Sequence, residues 1–164
     1  MKGSKQSPAD TMKELRDRVF ALSPGEIGVS PSEEFPNAWG VVMELGYPQA
    51  TVTLLALAEG TTSLYFSTGG GVIGSGKHET VRKASKAFIA AAGAYHGKLP
   101  AVTSFPCPDA GRVRFYILTF SGVLSSEADE KILAMGKHEM SPLYMAGQDV
   151  LTQMRLASEK EERP

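Results

Sequence analysis

The chain has one cysteine, one tryptophan, no long apolar run and no excess of charge of either sign, and each shortage excludes something. Cys107 alone cannot form an internal disulfide or a multi-cysteine metal site, so the expected home is a reducing compartment, the cytoplasm. With 17 Lys and Arg against 18 Asp and Glu, the formal net charge of −1 supplies no global field to attract nucleic acid or an acidic membrane surface. The longest apolar stretches, "VTLLALA" and "AFIAAAGAY", fall far short of the roughly 20 residues that span a bilayer. The first ten residues, MKGSKQSPAD, contain no apolar segment of the kind a secretory signal needs, which argues against export by that route.

What is present suits a soluble globular domain: 164 residues, 42% of them hydrophobic, can bury a core without metals or crosslinks. Met12, Leu15, Val19 and Leu22 recur at helical spacing, and Ser7-Pro8 provides a capping side chain and a first-turn proline. The stretch "SPGEIGVSPSEEFP" carries three prolines and two glycines in fourteen residues and reads as an irregular arm. From Trp39 to Ser67, runs rich in Val, Leu, Thr and aromatics separated by "GYPQ" and "EGT" predict three strands. Their connections are too short for parallel crossovers. Val41, Met43 and Leu45 share one face and Val42 the other, while "TVTLLALA" is apolar on both faces, so both faces need cover, from helices of this chain or from a partner.

Val81, Ala84, Phe88, Ala91, Ala92 and Tyr95 predict a helix stopped by Gly97 and Pro100. "AVTSF" and "RVRFYILTF" read as two further strands around a "PCPDAG" turn. A short helix is expected from Ser125 or Ser126 to Gly136, and a last one from Ser141-Pro142 carries Leu143, Ala146, Val150 and Met154 on one side. The predicted fold is α+β, with a mainly antiparallel five-stranded sheet packed with about four helices in the order α-βββ-α-ββ-α-α. A single domain over 7–157 would be flanked by a flexible N-terminus, 1–6, and a frayed charged tail, 158–164.

The segment "STGGGVIGSGKHET" lies between a predicted strand and a predicted helix. Gly69, Gly71 and Gly74 fit G-x-G-x-x-G, and Gly71, Gly76 and Lys77 fit G-x-x-x-x-G-K. In a phosphate loop such glycines admit backbone amides to the ligand, and the lysine meets the outer phosphates. His78, however, stands where magnesium needs Ser or Thr, no acidic residue follows at the dinucleotide spacing, and the preceding meander is neither nucleotide-binding topology. A weaker anion site remains, formed by Gly69, Gly71, Gly74, Ser75, Gly76, Lys77 and His78. Lys77, Arg82, Lys83 and Lys86 crowd the first turns of a helix, where the dipole prefers negative charge.

Other candidates are thinner. "GKHE" occurs at Gly76–Glu79 and again at Gly136–Glu139, but neither copy has a second histidine one turn away, and His96 near a helix end needs no ligand to explain it. Cys107 in "FPCPD" shows no activating base, and Asp109 nearby would oppose a thiolate. Met135, Met140, Met145 and Met154 suit either a core or an adaptable contact surface. No catalytic constellation, metal set or cofactor motif is complete. The leading expectation is a non-enzymatic protein-interaction or regulatory module, self-associating or bound to a protein partner. The alternatives are a domain binding a phosphate-like anion or nucleotide at the glycine corner, and a small enzyme using His78, His138 or Cys107.

Overall fold

A computed structural model describes residues 6–162; the first five residues of the expected flexible N-terminus lie outside them. Helix α1 (Pro8–Ala21) is followed by a 3-10 turn at Pro24–Ile27, then strands β1 (Ala38–Gly46), β2 (Thr51–Leu57), β3 (Thr62–Phe66) and β4 (Gly71–Val72). A second 3-10 turn at Ser75–Lys77 leads into α2 (Glu79–Gly93). Strands β5 (Ala101–Val102), β6 (Arg112–Thr119) and β7 (Gly122–Asp129) follow, and then α3 (Glu130–Ala134) and α4 (Ser141–Glu162). All strands form one antiparallel sheet in the order β4-β3-β2-β1-β6-β7-β5. No described helix is long and apolar enough to cross a membrane.

Over the described residues the fold is α+β with four α-helices, but the sheet has seven strands rather than five and the order is α-ββββ-α-βββ-α-α. "AVTSF" forms a strand only at Ala101 and Val102, and a further two-residue strand, β4, caps the opposite edge. The larger correction is β7, which occupies the residues expected to open a short helix. Ser125, Ser126 and Glu127 are types common at helix starts. Here a two-residue turn after Thr119 folds the chain straight back, and eight cross-strand pairs from Thr119↔Gly122 to Arg112↔Asp129 hold it extended. The helix start falls to Asp129 instead, whose carboxylate accepts from the Lys131 and Ile132 amides at 2.9 and 3.2 Å. At the other end of the chain, α4 runs on through the charged segment to Glu162, and the last two residues of the expected tail lie outside the described ones.

Both sheet faces are covered by this chain. On one, Val41, Met43, Leu45, Leu54, Phe115 and Ile117 pack against Val81, Phe88 and Ile89 of α2 and Leu143, Val150 and Met154 of α4. Gly147 permits the close approach of α4: a Cβ there would lie 2.6 Å from Met43 Cε. On the other face Val42, Leu55, Leu57, Tyr116 and Leu118 are covered by Val19 of α1, with Leu22, Ile27 and Val29 of the arm and Phe105 of the β5–β6 loop alongside. Ser7 caps α1, its hydroxyl accepting from the Asp10 amide at 3.1 Å. The two helical layers differ in depth of burial: α2 and α4 bury six and seven residues, α1 only Val19.

Candidate functional site

The glycine corner is not one continuous loop. Gly69 and Gly70, both at positive φ, turn β3 back into β4, and Gly71 already pairs with Tyr65. Gly74 (φ 80°) caps the 3-10 turn, and Ser75 is buried. Gly76 passes so close to Gly60 that a Cβ would collide with the Gly60 carbonyl oxygen. These glycines therefore serve a hairpin and a close chain crossing. Lys77 and His78 stand at the start of α2, where His78 makes no side-chain cap, and both reach Glu161 near the end of α4. The distances are 3.3 Å from Lys77 Nζ and 2.9 Å from His78 Nε2 to Glu161 Oε1. The lysine contact holds the Glu161 carboxyl below the usual range. Arg82 donates to the Gly76 carbonyl at 3.3 Å, and Lys86 lies 3.6 Å from Glu34.

The remaining sequence candidates separate. His138 accepts from the Met140 amide at 3.0 Å through Nδ1 and so shapes the α3–α4 link. Met140 and Met154 are core residues, while Met135 and Met145 are exposed. Among the described residues no three His, Cys, Asp or Glu side chains are placed to hold a metal ion.

A cleft that the sequence motifs did not point to lies beneath α1. It has a volume of about 340 Å³ and more apolar than polar lining. One wall is α1, where Ala9, Met12, Lys13 and Arg16 follow one another along successive turns, with Asp10 and Asp17 at the rim. The other wall is the sheet, with Thr51 and Thr53 of β2 two residues apart, Tyr65 of β3 opposite Thr53, and Ser67 just beyond; Cys107 also lines the cleft. The backbone around Ser67 is fixed, since its hydroxyl accepts from the Thr51 amide at 2.8 Å and its amide donates to the Thr51 carbonyl at 2.9 Å.

Behind the cleft runs a polar row across five strands. Register places Tyr65, Thr53, Glu44, Arg114 and Glu127 side by side on β3, β2, β1, β6 and β7. Glu44 is wholly buried. It accepts from Arg16 Nε and Nη2 at 2.8 and 2.7 Å and from the Thr53 hydroxyl at 2.5 Å. Arg16 Nη2 also donates to the Phe105 carbonyl at 2.7 Å, and its guanidinium lies 4.9 Å from the Phe20 ring centre. Burial works against the Arg16 charge, but the hydrogen bonds and Coulomb attraction from Glu44 outweigh it, and the guanidinium holds its proton more tightly than usual. Farther along, Arg112 and Arg114 both pair with Glu127, and Arg114 Nε is buried with no partner among the described residues. Phe20, Phe105 and Tyr116 pack as one aromatic group whose Tyr116 hydroxyl donates to the Pro106 carbonyl at 2.6 Å.

Two signals in the sequence mark this site. Glu44 is a lone charge within "VVMELG", a strand otherwise apolar on both faces, so burial with a partner is its natural state. Arg16 lies four residues after Met12 and three before Val19, on the stripe that α1 turns inward. A slightly larger cleft of about 380 Å³, between Ala91, Tyr95 and Leu99 at the end of α2 and Glu139 and Pro142, has no comparable floor. Its tyrosine hydroxyl is already bonded to the Glu139 carbonyl at 2.6 Å.

No protein-family model, curated protein or solved structure matches the chain.

Proposed function

We propose that this chain is a small-molecule-binding domain whose site is the cleft between α1 and the β2–β3 part of the sheet. The observation that carries it is the pairing of a ligand-sized, largely apolar hollow with a fixed polar floor. Binding sites typically combine about 300–1,000 Å³ of mostly apolar wall with a few oriented polar groups, and this cleft fits that description. Strands supply one wall and a capped helix the other, so the polar groups are held in place before a guest arrives.

A fragment screen read by thermal melting, followed by ligand-observed NMR, tests the proposal. A fragment present at about 100 times its Kd stabilises by about 2.7 kcal/mol, or roughly 5–10 °C in a domain of this size. Met12→Trp fills the hollow from the α1 side and should abolish those shifts while the protein stays folded. Hits unaffected by Met12→Trp, or no hits at all, would refute the cleft.

A second reading is the self-associating interaction module. It no longer draws support from the doubly apolar strands, because α1, α2 and α4 cover them. What favours it is the exposure of Ile132, Met135 and Met145 on and beside α3 and α4, at 44%, 61% and 45%. Light scattering over a concentration series distinguishes the two, and Met135→Lys should dissociate any dimer formed there. The anion site at Gly69–His78 keeps the uncapped first turn of α2 in its favour, with Glu161 as a built-in competitor for the Lys77 and His78 side chains.

A further inference from the structure

The cleft's charges allow its guest to be narrowed, an inference that rests on the cleft being a binding site. Each cation facing the hollow is already matched by a carboxylate. Glu44 takes two hydrogen bonds from Arg16, at 2.8 and 2.7 Å, and Asp17 meets Lys13 at 2.9 Å. Asp10 adds a further negative charge at the rim, so nothing on the α1 wall is left to attract an anion. The sheet wall contributes hydroxyls, which are uncharged, and the rest is apolar, so an anion would lose its hydration without gaining a counter-ion, and a cation would meet only Asp10, whose carboxylate is exposed and screened by water. A cavity of 150 Å³ accommodates a benzene ring, and at that scale about 340 Å³ has room for about ten to fifteen non-hydrogen atoms.

We infer that the cleft selects an uncharged, largely apolar molecule of about bicyclic size, with a single hydrogen-bonding group to meet the hydroxyls of Thr51 or Tyr65. Glu44 is a specificity residue in this arrangement: by neutralising Arg16 from behind, it keeps the site from binding carboxylates and phosphates.

Three probes sharing one ring system test it: indole, which is neutral, indole-3-acetate, an anion, and tryptamine, a cation. Calorimetric titration of the wild-type protein should give indole an affinity at least about tenfold above either charged probe, a gap of 1.4 kcal/mol. Glu44→Gln exposes an uncompensated Arg16 and should raise the affinity for indole-3-acetate several-fold while leaving that for indole nearly constant. Should that variant fold poorly, Asp17→Asn frees Lys13 at the exposed rim and should shift the order the same way, by less. Wild-type preference for a charged probe, or a probe order unchanged in both variants, would overturn the inference. If that charged probe is still displaced by Met12→Trp, the cleft itself survives as a site. Failure of all three probes to bind also overturns the inference, and the fragment screen alone then decides the cleft.

Discussion

Removing the guanidinium opposite Glu44 is the sharpest perturbation this fold offers. Arg16→Met keeps the length of the side chain and its contact with the aromatic group but leaves Glu44, wholly buried, with one hydrogen bond from Thr53 in place of three. Breaking a buried ion pair from one side costs about 3–5 kcal/mol, because the remaining charge has lost both its water and its partner. In a domain of this size that corresponds to a fall in Tm of roughly 10 °C. Arg16→Met combined with Glu44→Gln removes the charge altogether and should recover all but about 1 kcal/mol. Urea unfolding followed by the fluorescence of Trp39, 3% exposed with its ring nitrogen donating to the Thr119 carbonyl at 3.0 Å, reads all three proteins. A single-variant deficit below about 1 kcal/mol would show that Glu44 has water or another partner and would refute the reasoning.

Gly76→Ala places a methyl group against the Gly60 carbonyl and should cost about 1–3 kcal/mol, whereas Gly25→Ala, with open space around it and an ordinary φ, should be nearly neutral in the same chemical denaturation series. All five tyrosines hold their protons above the ordinary range, with burial the leading cause and Tyr116 pushed up to about 12. Above pH ~10 the unfolded chain therefore binds fewer protons than the folded one, stability should fall with rising pH, and native phenolate absorbance should lag behind that of the denatured protein. The Glu161 carboxyl, held below its usual range by Lys77, contributes a small stabilisation that is complete above its unfolded pKa and is lost as pH falls through its folded one. Acidification, or Glu161→Gln at neutral pH, should accordingly speed amide exchange in the last turn of α4 while Tm barely moves.

The strongly periodic parts of this protein were legible in its sequence. Val81, Ala84 and Phe88 predict the buried face of α2, and Val41, Met43 and Leu45 predict the face of β1 turned towards it. Turn chemistry placed β1, β2 and β3 within a residue or two. What failed was context. Ser125, Ser126 and Glu127 have no strand-like pattern of their own, and β6 imposes extended pairing on them through a two-residue turn. A phosphate cradle and a hairpin followed by a chain crossing both demand residues without a Cβ, so the glycines at 69–76 carry both readings in sequence, and the contacts at Gly60 and Tyr65 show the hairpin and the crossing. Cys107 and Arg16 are 91 positions apart, and no local motif can announce that they line one hollow.

The position of that hollow follows from how unequally the sheet's two faces are dressed. On the α2–α4 face, small residues such as Ala84, Ala92 and Gly147 bring helix and strand into direct contact, and side chains from both layers fill the space between them. The α1 face is handled differently. Its strands remain apolar through Val42, Leu55 and Leu118, but at the Glu44 row they become polar, with Thr53, Tyr65 and Arg114 alongside. A helix crossing that boundary can bury Val19 on the apolar side, yet on the polar side it can be tied down only by an ion pair, which holds two atoms in register without filling volume. Arg16 is that tie, and the residues N-terminal to it, Ala9 and Met12, are too small or too flexible to occupy the space above Thr51 and Thr53. The cleft is therefore where an apolar layer gives way to a polar one beneath α1. A chain selected only for stability would close it with larger residues at 9 and 12, so Ala9→Leu should stabilise the fold while it blocks the site, a trade that separates a functional hollow from a packing defect.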